Sequence, residues 1–100
     1  MTDFDRINWL QRFIILHSYI YYHLNDNVIS DKLYDSKAKE LVRLKNEFPE
    51  LWKKTEYYKQ FGDDYNGSTG FTLYNGLDTH QKEIIQSIAS RRNNYIRKGD

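Results

Sequence analysis

Polar aromatic and acidic side chains gather around the turn predicted between the first two helices: Tyr22, His23, Asp31, Tyr34 and Asp35. The first two lie at the end of one helix, and the other three have i, i+3, i+4 spacing, so they share one face at the start of the next. Flat rings can stack on a ligand, imidazole can meet a phosphate, and carboxylates can hold hydroxyls or a positively charged ring. These residues therefore predict a binding site for a nucleotide with a cationic base.

Signatures of catalysis are absent from the sequence. It contains no glycine-rich phosphate loop, no HExxH pair, no nucleophile elbow, and no lysine followed by the Asp-Gly pattern of enzymes that form a lysine adenylate. The lack of cysteine excludes a disulfide framework, a thiolate nucleophile and a cysteine-ligated zinc site. His17, His23 and His80 lack clean metal-ligand spacing, because the first two lie nearly two helical turns apart. We predict no metal site.

Charge and hydropathy exclude other broad classes. Fifteen Lys and Arg residues against fourteen Asp and Glu residues leave a net charge of +1, so no global field attracts nucleic acid or a membrane. The N-terminus has acids where a secretory signal has basic residues, and no apolar run approaches the length of a bilayer span. The sequence therefore predicts one cytoplasmic domain over 1–100.

The apolar spacing predicts an all-α fold that begins with an antiparallel helix pair. The first helix, over 3–24, starts at Thr2 or Asp3 as its cap and ends at an Asn/Asp turn. Its predicted inner face is Phe4, Ile7, Leu10, Ile14, Tyr21 and Leu24, and its predicted outer face is Asp5, Arg6, Gln11 and Arg12. The second helix opens at Ser30 or Asp31, and its apolar stripe is Tyr34, Ala38, Leu41, Leu44 and Phe48.

The remainder of the chain predicts two further helices around a connecting loop. Proline is favoured at the first position of a helix, so Pro49 to Tyr58 is predicted as a short third helix with inward Leu51, Trp52 and Tyr57. A glycine- and asparagine-rich loop covers 62–77, where Phe71, Leu73 and Tyr74 attach it to the helices. Asp78 and Gln81 have capping-box spacing and open a final helix over 79–97, packed across the others through Ile84, Ile85 and Ile88.

Four short motifs in the first half give a family resemblance. They are Tyr21-Tyr22-His23, Ile29-Ser30-Asp31, Leu33-Tyr34-Asp35 and Phe48-Pro49-Glu50-Leu51, with a short Asn/Asp turn after the first. In this order they resemble subdomain Ia of bacterial NAD-dependent DNA ligases, and the resemblance spans roughly 7–52. The turn is one residue shorter than in that family and lacks its common proline.

The resemblance implies a ligand and a role for each site residue. In the family this region clasps the nicotinamide mononucleotide half of NAD and orients its pyrophosphate for attack by a lysine of the following domain. Tyr22 would accordingly stack on nicotinamide and His23 would approach the phosphate. Asp31, Tyr34 and Asp35 would hold the ring and the ribose. The cofactor expected from the resemblance is therefore NAD or nicotinamide mononucleotide.

The remaining ligase parts do not occur in the sequence. The nucleotidyltransferase lysine motif, the oligonucleotide-binding fold, the zinc finger and the helix-hairpin-helix region are all missing. After Trp52 the chain is similar instead to the second half of small ligase-related proteins of bacteriophages and prophages. We expect no enzyme activity, and the function predicted is a non-catalytic module that recognises nicotinamide mononucleotide or NAD.

Each site residue also has a purely structural interpretation. Tyrosines at a helix corner often pack as half-buried rings, and His23 can satisfy a loop carbonyl. Asp31 can cap the second helix, and Asp35 can pair with Lys39 one turn along.

Two other functions remain open on sequence grounds. Arg91, Arg92, Arg97 and Lys98, with Tyr95 between them, can contact nucleic acid or simply complement the dipole at a helix end. Alternatively the ligase-like scaffold can serve protein contact, for instance with a host replication or defence factor.

Overall fold

A computed structural model of the chain describes residues 2–26, 28–67 and 72–91, and within these residues it contains helices and turns but no strand. The helices are α1 (Asp3–Tyr22), α2 (Asp31–Glu47), α3 (Pro49–Trp52), α4 (Tyr58–Phe61) and α5 (Thr79–Ser90), with a 3-10 turn at Tyr74–Gly76. The all-α prediction is confirmed. None of the helices in the described segments has the length and apolar character needed to cross a bilayer.

Helix α1 is the centre of the fold, because α2, α3, α5 and the 3-10 turn all pack against it. Its buried residues consequently lie on more than one side: Ile7, Leu10, Gln11, Ile14, Ile15, Ser18 and Ile20. The prediction that Gln11 faces solvent is wrong, since its side chain is 0% exposed. Its amide nitrogen donates to the Thr55 hydroxyl oxygen at 2.9 Å. The segment after α3 therefore covers a side of α1 that the spacing of apolar residues in this helix predicts to be polar.

Helices α1 and α2 are antiparallel, as predicted. Arg6 near the start of α1 bonds Glu40, whereas Ser18 near its end bonds Tyr34 at the start of α2. Helix α1 is capped by Thr2, whose hydroxyl accepts from the Asp5 amide at 3.1 Å. It ends at Tyr22 rather than at the predicted Leu24. The chain then turns through Asn25, whose φ of +51° is a left-handed conformation that asparagine tolerates.

Helix α2 shows the predicted apolar stripe facing α1. Ala38, Leu41 and Leu44 are buried, and Tyr34 and Phe48 are half-buried against the core. Of the two residues that could cap the helix, the structure uses Ser30, whose hydroxyl accepts from the Leu33 amide at 3.1 Å.

The predicted helix from Pro49 to Tyr58 is wrong in its middle, because α3 stops at Trp52 and α4 starts only at Tyr58. Thr55 accounts for the interruption. Its hydroxyl donates to the Trp52 carbonyl at 2.7 Å while accepting from Gln11, which draws this residue onto α1. A side-chain bond of this kind competes with continued helix.

The described part of the second half packs onto α1 as predicted. Leu73 and Tyr74 are buried, whereas Phe71 lies outside the described residues. The Asp78–Gln81 capping box is formed in both directions, at 2.7 and 3.1 Å. The inward face of α5 consists of buried Ile85 and Ala89 with half-buried Ile84 and Ile88. Helix α5 ends at Ser90, and its predicted continuation over 92–97 lies outside the described residues.

Glu40→Gln is expected to lower the free energy of unfolding by about 0.5–1 kcal/mol. Arg6 grips the Glu40 carboxylate with two nitrogens, at 2.7 and 2.8 Å, and this hydrogen bonding lowers the pKa of Glu40. The matched control is Glu47→Gln, because Glu47 makes a single, more exposed contact with Arg43 at 3.0 Å. Urea unfolding measures both variants. Equal losses of unfolding free energy would show that the two hydrogen bonds between Arg6 and Glu40 stabilise the fold no more than the single Arg43–Glu47 contact.

Candidate ligand-binding site

Tyr34 lies at the middle of the predicted site, where α1 meets the start of α2. Its ring is half-buried, and its hydroxyl lies 2.8 Å from the Ser18 hydroxyl of α1. Burial raises the pKa of Tyr34, the bond with Ser18 opposes that rise, and nearby Tyr22 and Asp35 add to it. Tyr22 and Asp35 thus act electrostatically on the same phenol. Because the hydroxyl already has a partner, Tyr34 is placed to hold this surface together.

Tyr22 presents an aromatic ring to solvent at the end of α1. It is 44% exposed, and the still more exposed Tyr21 meets it edge to face, with ring centroids 4.9 Å apart and an interplanar angle of 85°. These two rings, with Asn25 and Asp26, line a shallow open depression. A planar ligand can therefore reach an aromatic face without displacing core residues.

Asp31 and Asp35 are exposed on the first turns of α2. Two structural interpretations of them are wrong: Ser30 caps the helix in place of Asp31, and the ion pairs among the described residues do not join Asp35 to Lys39. Neither carboxylate makes a side-chain hydrogen bond or ion pair with another described residue. Both can accept hydrogen bonds from a ligand or face a positive charge.

His23 points toward a different neighbour from Tyr22. Its ring stacks on Tyr19, at a centroid distance of 5.5 Å and an angle of 21°, and approaches Tyr74 at 4.9 Å. Consecutive residues of a helix point about 100° apart. The structure consequently divides the predicted site into two groups: Tyr22, Asp31, Tyr34 and Asp35 on the α2 side, and His23 on the side of the 3-10 turn.

Two residues of this region were not predicted as part of the site. Ser18 is buried, and its spacing of four residues before Tyr22 is the signal that places it on the face toward α2. Tyr74 comes from the second half of the chain, and nothing in the sequence pairs it with His23. Across the described residues, no three His, Asp or Glu side chains gather closely enough to hold a metal ion.

Comparisons with known proteins concern the first half of the chain. The sequence model of the family "DNA ligase-like, N-terminal NAD⁺-binding domain" matches residues 1–56. The DNA ligase of Lawsonia intracellularis is 48% identical over 47 residues, which are 47% of this chain and 7% of that protein. The DNA ligase of Thermosipho africanus is 38% identical over 58 residues, which are 58% and 9% of the two chains.

A more distant relative extends the aligned region slightly further. The DNA ligase of Mycoplasmopsis pulmonis is 33% identical over 64 residues, which are 64% of this chain and 9% of that protein. The chain thus spans less than a tenth of the length of these ligases. No solved structure matches it.

Proposed function

The chain belongs to the family of DNA ligase-like, N-terminal NAD⁺-binding domains, and on that premise we propose that it recognises the nicotinamide mononucleotide half of NAD without itself catalysing a reaction. The observation that supports this most is that the exposed Tyr22 ring lies at the end of α1, while the turn leads directly to two exposed carboxylates, Asp31 and Asp35, which form no ion pair among the described residues. Nicotinamide in NAD is a flat, positively charged ring, so it needs both features.

Each site residue has a role in this proposal. Tyr22 stacks on the nicotinamide, and Asp31 and Asp35 face its positive charge and accept from the ribose hydroxyls. Tyr34 holds these groups in place through Ser18 rather than offering its hydroxyl to the ligand. His23 lies at the phosphate end.

A titration with nicotinamide mononucleotide tests the proposal. Backbone amide resonances near Tyr22 and Asp35 should shift in the wild-type protein, and Tyr22→Ala or Asp35→Asn should weaken binding by about tenfold, because each removes one direct ligand contact. Nuclear magnetic resonance follows the shifts residue by residue.

The matched controls for this titration lie away from the site. Trp9→Ala removes another exposed aromatic ring, and Asp64→Asn removes another exposed carboxylate, so both variants should bind like the wild type. The proposal is wrong if millimolar nicotinamide mononucleotide causes no shifts, or if the site variants bind as tightly as the controls.

A second candidate function is protein contact at the same end of the helix pair. The large exposed hydrophobic residues of the described chain are Trp9 at 42%, Tyr21 at 51%, Tyr22 at 44% and Leu33 at 40%, and the last three flank the turn between α1 and α2. Exposed aromatic and aliphatic side chains grouped in this way are typical of interaction surfaces. Leu33→Ser separates the two functions, since it should weaken a protein complex and leave nucleotide binding unchanged.

Nucleic-acid contact through the basic C-terminus has less support. The Arg91 guanidinium donates to the Ser87 carbonyl at 3.2 Å and to its hydroxyl at 3.1 Å, so it closes the end of α5. That arrangement fits the helix-end interpretation. Arg92, Arg97 and Lys98 lie outside the described residues.

A further inference from the structure

Tyr74 brings together two nitrogen-bearing side chains from opposite halves of the protein. The centroid of the His23 ring, in the ligase-like half, lies 4.9 Å from the centroid of the Tyr74 ring. The ammonium nitrogen of Lys82, on α5, lies 5.5 Å from the centroid of the same ring, within the range of a cation–π contact. Both side chains are therefore placed against one aromatic ring.

The Tyr74 ring, which both His23 and Lys82 contact, is held by packing and by a hydrogen bond. It is buried, and it packs on Tyr19 with ring centroids 4.3 Å apart. Its hydroxyl accepts a hydrogen bond from the Gln86 amide nitrogen at 2.6 Å. Contacts from α1 and from α5 thus hold the ring that both His23 and Lys82 approach.

The charge of Lys82 is not neutralised within the described residues. Two acids lie near it in sequence, Asp78 four residues before it and Glu83 next to it, but neither forms an ion pair with it. No ion pair of the described chain includes Lys82. Lys82 is a half-buried residue, so part of it remains in contact with solvent.

The electrostatics of the first half explain why a second-half cation matters. The C-terminal end of α1 is the negative end of the helix dipole, and Asp26, Asp31 and Asp35 surround the turn. These groups favour a cationic base but repel a phosphate. A nucleotide that combines both charges needs a positive side chain near its phosphate, and Lys82 approaches the same Tyr74 ring as His23.

We infer that Lys82 and His23, held on the Tyr74 ring, bind the phosphate of nicotinamide mononucleotide, so that the second half of the chain supplies part of the ligand site. This inference rests on the proposed function. It makes Lys82 a specificity-determining residue, because an ammonium that meets a phosphate favours the nucleotide over the corresponding nucleoside.

Titrations with nicotinamide mononucleotide and with nicotinamide riboside, which lacks only the phosphate, test the inference. The wild-type protein should bind the nucleotide about tenfold more tightly than the riboside. Lys82→Gln should remove that preference by weakening nucleotide binding about tenfold while leaving riboside binding unchanged. Lys82→Arg, which keeps the charge, should restore the preference.

Two other lysines provide matched controls. Lys54 is exposed and precedes Thr55, whose hydroxyl bonds Gln11 of α1. Gln11 lies twelve residues before His23, which is roughly 18 Å along a helix, so Lys54 is far from His23. Lys54→Gln should therefore leave both affinities unchanged. Lys32 is exposed on the first turn of α2, so Lys32→Gln tests whether a cation on the α2 side binds the phosphate instead.

The outcomes separate this inference from the proposed function. If the nucleotide binds Lys82→Gln as tightly as the wild type, or if Lys32→Gln alone removes the preference, the inference is wrong and the proposed function stands. If neither the nucleotide nor the riboside binds the wild-type protein, both are wrong.

Discussion

Trp52→Ala is expected to lower the free energy of unfolding by about 3–5 kcal/mol. Trp52 is 1% exposed and packs on Phe61 and Tyr65, with ring centroids 5.8 and 6.2 Å away. Its indole nitrogen also donates to the Gly62 carbonyl at 3.0 Å. Alanine would leave a cavity where α3 meets the start of the second half and would remove the hydrogen bond to that carbonyl. Urea unfolding measures the change.

Trp9→Ala is the matched control for this substitution. Trp9 is an exposed tryptophan of α1 that touches Phe13 and the Arg6 guanidinium. Its removal should cost less than about 1 kcal/mol, because no cavity forms and the cation–π contact is exposed to water. Equal losses for the two variants would contradict the central role of Trp52 in packing.

Lowering the pH from 7 to 5 is expected to reduce the free energy of unfolding by about 1–2 kcal/mol through His17. Burial lowers the pKa of His17 from 6.5 to about 4, and its Nδ1 atom has no hydrogen-bond partner in the described part of the chain. Between pH 6.5 and about pH 4, His17 binds a proton in the unfolded chain but not in the folded protein. The free energy of unfolding therefore decreases as the pH is lowered. The magnitude is reduced because the half-buried ring retains some contact with water.

His17→Phe should flatten this part of the pH profile, since phenylalanine keeps the ring contact with Phe13, at 4.4 Å in the wild type, and has no titrating group. His80→Gln is the control, because His80 is exposed on α5 and meets water in both states. The lowered pKa of Glu40 also costs stability in acid, but that loss develops below its ordinary value of 4.5. A profile unchanged by His17→Phe would rule out this origin.

The helix pair could be predicted from the sequence because its determinants are local. The apolar stripe of α2 repeats at helical spacing, and Ser30 and the Asp78–Gln81 box are recognisable starts. The structure confirms these features. Gln11 could not be predicted in this way. The local spacing places it on the outer, polar face of α1, and it is buried because Thr55, 44 residues later, packs against it. The interrupted third helix has the same origin.

The candidate site divides in a similar way. The exposure of Tyr22, Asp31 and Asp35 follows from their positions at helix ends, and the structure shows it. Spacing also places Tyr34 toward α1. The direction of His23 depends on Tyr74, which lies across a loop that the sequence does not orient. Contacts between distant segments therefore determined what the sequence could not predict.

The contact between Tyr74 and His23 links local unfolding to binding. If the 3-10 turn and α5 detach from α1 while the rest of the fold persists, Tyr19 and His23 lose their contacts with the Tyr74 ring. A ligand that needs His23 in its packed position then binds only the docked form and shifts the population toward it. The amides of α5 would exchange with solvent more slowly in the bound protein, although they lie beyond the family-matched residues 1–56.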